Sequence, residues 1–316
     1  MKPKICLSIS KPDSAFEKMY DELKNYADID VVGLNGFSLE GYDIFIGKKL
    51  SAETLATADR LKAVFAYKTG VDDFPLSAMD EMGITLVNSH VDAKYIAEYS
   101  ISLGMSLLNR ITESDKKLRK GIWRDSKNPY WTSIFDVKIG LLGYGHIGRS
   151  INKVLRHNFI ETYTIDRGKE YDDIQLVSSL DELCEKTDLI VISLPKTPET
   201  NCLFDERRLE LMKDKYIVNV GRSNCIDQKA LYDALSSGNL AGAAIDTWDS
   251  KPKDMNERLI PYEYPFETLD NIVLSPHQAM QVEDGHVRYV FDIILKVIAY
   301  ITDGSLSDVV DLTKGY

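Results

Sequence analysis

The sequence predicts an α/β protein of two doubly wound, parallel-sheet domains, the second inserted into the first. Three observations carry this. Short apolar runs alternate with amphipathic helical patterns over residues 1–92 and again from Val137 onward, the order expected when helices cross over between parallel strands. A glycine turn, Gly143-Tyr144-Gly145-His146-Ile147-Gly148, joins an apolar strand to a helix at the head of the second run. The last helical pattern, residues 283–302, is too long and apolar for a tail, so it is expected to return to the first domain. The expected boundaries are 1–95 with 283–316 for one domain and 96–282 for the other.

The totals fit this plan. A chain of 316 residues has room for two cores. Its 44% hydrophobic and 28% charged content is that of an ordinary globular protein. A net charge of −11 with no basic stripe argues against a nucleic-acid partner. Cys6, Cys184, Cys202 and Cys225 show neither CxxC nor metal-ligand spacing, so reduced thiols and no metal are expected. The N-terminal apolar run is too short for a signal peptide, and no run approaches the ~20 apolar residues of a membrane span. The expectation is a cytoplasmic protein with no membrane partner.

In the first domain, residues 5–9, 29–32, 44–46, 61–66 and 84–87 read as strands, and 13–26, 52–59 and 75–82 as helices. No glycine fingerprint occurs there, which makes this half the candidate substrate domain. Residues 93–119 carry one long helical pattern, with Ile96, Tyr99, Ser100, Leu103, Leu107 and Ile111 at helical spacing. It reads as a core helix linking the domains or as a dimer contact. The aromatic, polar stretch from Gly121 to Trp131 reads as a surface loop. Strands of the second domain are expected at 138–142, 162–165, 189–194, 216–220, 242–246 and 271–274.

The glycine turn has the context that gives it meaning. Gly143 suits the sharp turn, Gly145 admits a pyrophosphate close to the backbone, and Gly148 permits tight helix–strand packing. The N–H groups at the start of the helix, including those of His146 and Ile147, complete an anion site. Asp166 follows Gly143 by 23 positions, at the end of a second apolar strand, where an acidic residue accepts from ribose hydroxyls. The second domain is therefore read as a Rossmann domain that binds NAD.

Three segments, each just after an expected strand, hold polar residues that a core would not want: 217–223 with Arg222, 244–252 with Asp246, and 273–277 with His277. Carboxyl ends of parallel strands converge on one crevice. Arg222 offers a bidentate fork for a carboxylate. His277 is the candidate acid with a pKa near neutrality. Together they suit hydride transfer between NAD and a small 2-hydroxy/2-keto acid.

Nearly the whole chain resembles the D-isomer-specific 2-hydroxyacid dehydrogenase family. Lys68-Thr69-Gly70-Val71-Asp72 looks like its substrate-loop motif, and Ala97-Glu98 sits in its long-helix motif. Leu194-Pro195-Lys196-Thr197-Pro198-Glu199-Thr200 looks like the loop beneath the nicotinamide, and residues 308–316 are similar to the family's usual ending. The resemblance implies a Rossmann domain inserted in a flavodoxin-like substrate domain, and a homodimer formed through the NAD-binding domain. It implies that Arg222 binds substrate and His277 is the acid/base. Backbone amides near Gly70 and Val71 would hold the carboxylate. Thr69, beside them in the substrate loop, would line the cofactor with Thr200, Val220, Gly221 and Asp246.

One departure from the family matters, beside a minor one at Ser223, where a glycine is usual. A glutamate normally precedes the proline that ends the Asp246 segment, where it orients the histidine; here it is Lys251. A carboxylate beside His277 favours the imidazolium needed for reduction, and an ammonium disfavours it. Asp249, Asp254 and Glu257 are the acidic residues that a reshaped loop would bring to His277. Lys251 gives weight to an alternative, an NAD-binding regulatory or scaffold dimer with weakened chemistry. A formate-oxidising enzyme, which needs no proton transfer, is a weaker third reading.

Overall fold

The computed structural model describes residues 2–9, 13–123, 130–250, 252 and 258–316. The chain divides into two compact units, Met1–Asp92 with Val282–Tyr316, and Ala93–Gln281.

The first unit holds β1 (Lys4–Ser8), α1 (Ser14–Leu23), β2 (Asp28–Val32), β3 (Ile44–Gly47), α2 (Ala52–Leu55), β4 (Ala63–Ala66), α3 (Leu76–Glu81) and β5 (Thr85–Val87). The strands form one parallel sheet in the order β2-β1-β3-β4-β5. β3 and β4 read IFIG and AVFA and are buried along their whole length, the unbroken apolar signature of strands covered on both faces. The Asp13 side chain starts α1 by accepting from the N–H groups of Ala15 and Phe16 at 3.0 and 3.1 Å. Ala15, Phe16, Met19 and Leu23 turn its apolar face inward. The C-terminal helix, Gly285–Asp303, packs against α1 and buries Tyr289, Val290, Ile293, Ile294 and Val297. The closing segment then pairs antiparallel with β5, Val309 opposite Val87.

The second unit opens with α4 (Ala93–Leu108) and α5 (Ile111–Arg119). The sequence pattern reads as one helix over 93–119; the structure breaks it at Arg110, which is left-handed at φ 55°. A returning segment ends α4, with the Thr132 N–H donating to the Leu108 carbonyl at 3.0 Å and Asn109 donating to the Thr132 carbonyl at 3.2 Å. Arg110 pairs with Glu113 at 2.6 Å, and α5 buries none of its residues. Periodicity sees neither of the contacts to Thr132.

There follow β6 (Ile139–Leu142), α6 (His146–Arg156), β7 (Thr162–Ile165), β8 (Gln175–Val177), α7 (Leu180–Lys186), β9 (Leu189–Ile192), α8 (Glu206–Leu211), β10 (Tyr216–Asn219), α9 (Gln228–Ser236), β11 (Gly242–Ile245) and β12 (Ile272–Leu274). All seven strands are parallel, in the order β12-β11-β10-β9-β6-β7-β8. β8 is an addition to the expected strands. It is three residues long at the sheet edge with only Val177 buried, so it leaves no apolar run to read. Among the described residues no helix is long and apolar enough to cross a membrane, and all four cysteines are free thiols.

Candidate active site

In the second unit the strand order reverses between β6 and β9, and the carboxyl ends of strands at such a point form a ligand crevice. The glycine turn leaves β6 there. Gly143 has φ 107°, a conformation that side chains disfavour. A Cβ on Gly148 would stand 2.1 Å from the carbonyl oxygen of Gly143, so only glycine lets α6 start this close to the strand. A Cβ on Gly145 would meet nothing within 4 Å, which leaves the approach to the turn open. Gly145 is the N-cap of the 11-residue α6 with no side-chain cap, so the first-turn N–H groups suit an anion. His146 is exposed and Ile147 half-buried at that end.

A polar network braces the turn. The Tyr144 hydroxyl donates to Asp173 Oδ1 at 2.9 Å and accepts from Asn152 Nδ2 at 2.6 Å. Asn152, wholly buried, accepts in turn from Thr162 Oγ1 at 2.6 Å. Asp166 lies exposed at the end of β7, its Oδ1 accepting from the Gly168 N–H at 2.7 Å. An open glycine cradle, a helix N-terminus and an exposed acid at the next strand's end are the donor and acceptor set of a dinucleotide.

Across the switch point, Thr200 turns its hydroxyl into its own loop, donating to the Pro195 carbonyl at 2.8 Å and accepting from the Thr197 N–H at 2.9 Å. Val220 and Gly221 are buried after β10. Arg222 follows, half-buried, with Nη1 donating to the Gly221 carbonyl at 3.0 Å. Asn219 clamps this turn: its amide donates to the Arg222 carbonyl and accepts from the Gly221 N–H, both at 3.0 Å.

β10, β11 and β12 are neighbours, so the sheet brings the Arg222, Asp246 and His277 segments to one end. Asp246, 1% exposed, uses both carboxylate oxygens on the last of these: it accepts from the Ser275 hydroxyl, from the Gln278 N–H at 2.8 Å and from the Ala279 N–H at 3.1 Å. Ser275 is also held by Tyr99 of α4, at 3.0 Å, and by the Trp248 indole N–H on its carbonyl, at 2.8 Å. Inside this frame His277 sits half-buried with φ 57°. Asp249 is exposed and accepts from Gln228. Lys251, Asp254 and Glu257 lie outside the described residues.

In the first unit, Thr69-Gly70-Val71 follows β4. The Thr69 hydroxyl donates to the Ser89 carbonyl at 2.8 Å and lies 2.9 Å from the Tyr289 hydroxyl, while Asn88 donates to the Thr69 carbonyl at 2.7 Å. These bonds fix the loop, with Val71 buried and Gly70 half-buried. Sequence reasoning gave no site role to Asn219, Ser275, Tyr99, Asn152 or Asp173. Asn219 left a signal, a polar residue inside the apolar run of β10. Tyr99 left none, because its helical spacing is that of a core residue.

Sheet, glycine turn and polar strand ends define a dinucleotide-binding domain of the dehydrogenase type. The chain belongs to the D-isomer specific 2-hydroxyacid dehydrogenase family, whose NAD binding domain matches residues 101–279; its cofactor is a nicotinamide dinucleotide. It is 33% identical over 250 residues to a glyoxylate reductase of Thermofilum pendens, covering 76% of this chain and 72% of the relative. It is 29% identical over 269 residues to a D-3-phosphoglycerate dehydrogenase of Methanocaldococcus jannaschii, covering 83% of this chain and 49% of that longer protein. A crystal structure of a Pyrococcus horikoshii OT3 protein superimposes with a TM-score of 0.85 at 25% identity, over 98% of this chain and 96% of the other.

Proposed function

We propose that the protein is an NAD-dependent oxidoreductase that transfers a hydride between nicotinamide and a small 2-hydroxy/2-keto acid. The observation that carries this reading is the frame around His277. A buried carboxylate, Asp246, fixes the backbone of the loop after β12, two strands away from the turn that bears Arg222. Such bracing suits a group that must meet a reacting atom.

In the reducing direction, NADH held at the glycine turn would supply the hydride that reduces the carbonyl carbon of the keto acid. The electron pair of the carbonyl π bond moves to its oxygen, and His277, as imidazolium, donates a proton there. The products are the hydroxy acid, NAD and neutral imidazole. Arg222 grips the carboxylate with its fork and stabilises the developing oxyanion. The first unit serves as substrate domain, and in it Thr69 holds the loop whose Gly70 and Val71 amides suit a carboxylate.

Gly143, Gly145, His146, Ile147 and Gly148 would hold the diphosphate, and Thr200, Val220, Gly221 and Asp246 would line the nicotinamide side. Asp166 accepts from the ribose and would repel a 2′-phosphate, which selects NAD over NADP. The working form is a cytoplasmic homodimer. Exposed Ile122, Trp123, Tyr130, Trp131 and Phe135 cluster in one stretch of the second unit, a surface suited to self-association.

Lys251 supports the second reading, a regulatory or scaffold dimer with weakened chemistry. Incubating the purified chain with NADH and a panel of 2-keto acids separates the two. Loss of NADH absorbance with one of them supports the enzyme, and tight NADH binding without turnover supports the scaffold.

A further inference from the structure

The C-terminal helix, Gly285–Asp303, buries Val290, Ile293, Ile294 and Val297 in the first unit. Tyr289, Asp292 and Lys296 stand at i, i+3 and i+7 of the same helix, a spacing that puts them on one side. All three reach the Thr69 loop or the segment behind it. The Lys296 ammonium pairs with Asp292 and Asp308, both at 2.7 Å, and donates to the Asn88 carbonyl at 2.8 Å. Asp292 accepts from the Ser89 hydroxyl at 2.5 Å. Asn88 and Ser89 in turn hold Thr69, the Asn88 amide on its carbonyl and the Ser89 carbonyl on its hydroxyl. Tyr289 makes the direct contact, its hydroxyl 2.9 Å from that of Thr69.

This contact has a direction. A threonine hydroxyl carries one proton, and the Ser89 carbonyl, which can only accept, takes it. Tyr289 is therefore the donor to Thr69. Burial, at 5% exposed, pushes the Tyr289 phenol up to about 12, so its proton stays in place near neutrality. Asp92, whose charge also acts on Tyr289, is fully buried, and among the described residues neither of its oxygens has a donor in hydrogen-bonding geometry. A carboxylate is the stronger acceptor, and leaving a buried one unsatisfied is costly. The hydroxyl is aimed at the loop even so, an arrangement that favours the loop over the comfort of the buried acid.

We infer that Tyr289 is a positioning residue, a latch by which the C-terminal helix sets the Thr69-Gly70-Val71 loop for the substrate carboxylate. The inference rests on the function proposed above and deepens it. Tyr289 acts through Thr69 and not on a reacting atom. Its loss should loosen the grip on the bound substrate and leave the proton transfer at His277 alone, which raises KM without lowering kcat.

The test measures kcat and KM of the full chain with NADH on the best 2-keto acid of the panel. Tyr289→Phe is made in wild type, in Thr69→Val and in Thr69→Ser. In wild type it should raise KM about three- to tenfold, the loss of one hydrogen bond, with kcat and NADH affinity within about twofold. Thr69→Val removes the acceptor, so adding Tyr289→Phe to it should cost nothing more. Thr69→Ser keeps the hydroxyl and with it the effect of Tyr289→Phe. An unchanged KM, a fall in kcat alone, or additive losses in the Thr69→Val background overturn the latch. If wild type reduces no keto acid, the proposed function fails, and hydrogen exchange of the loop amides decides the latch by itself. Exchange over residues 68–74 that Tyr289→Phe speeds about three- to tenfold, with the rest of the first unit unaltered, supports it. Unaltered exchange, or a rise across the whole unit, overturns it.

Discussion

Asp92 closes the first stretch of the first unit with a fully buried carboxylate, and among the described residues neither oxygen has a donor in hydrogen-bonding geometry. Burial raises its pKa above the ordinary 3.8, with Arg288 and then Tyr289 opposing. A folded-state pKa above the unfolded one means that Asp92 contributes most to stability when protonated, below the ordinary carboxylate value. That contribution is lost as pH rises through the raised value. Asp92→Asn keeps the shape and removes the titration. Thermal melts should therefore find the variant more stable than wild type at pH 8, with the gap closing toward pH 4; a gap that does not change with pH contradicts this. Arg222 makes a different kind of prediction. Arg222→Lys keeps the charge but loses the planar fork, a loss of about 1.5–3 kcal/mol or roughly tenfold to a hundredfold in kcat/KM on a carboxylate substrate. Full activity in that variant would remove Arg222 as the anchor.

At the scale of the elements, the glycine turn and α6 act as one piece. Gly148→Ala places a methyl group 2.1 Å from the Gly143 carbonyl oxygen, and relieving it must shift the turn proposed to hold the diphosphate. The expected cost is about 1–3 kcal/mol of stability together with weaker NADH binding, read by calorimetry; unaltered affinity would mean the turn does not hold the cofactor. This element was legible in the sequence because Gly143 and Gly148 answer separate steric demands, and Asp166 stands at the spacing that a βαβ unit imposes. Other elements were not. The break at Arg110 depends on Thr132, more than twenty positions away, so no local pattern records it. β8 is too short and too exposed to leave an apolar signature. Asp246 was legible as a polar residue at a buried strand end. Its grip on Gln278 and Ala279 was not, because that bond exists only once β11 and β12 lie side by side.

For the whole molecule, alternating strands and helices were enough to give two parallel sheets, since crossovers by helices leave few other arrangements. What the alternation does not specify is where each order reverses. In the second unit the reversal falls beside the glycine turn after β6. Lys251 is plain in the sequence as a departure from the family and lies outside the described residues. The central claim is hydride transfer with His277 as the proton donor. The measurement that tests it most directly is NADH oxidation by a 2-keto acid, in wild type and His277→Ala, with NADH affinity measured in both. Wild type should turn over, and the variant should lose about 10²–10⁴ in kcat while still binding NADH. A wild-type chain that binds NADH and reduces no 2-keto acid, or a His277→Ala chain as fast as wild type, would contradict it.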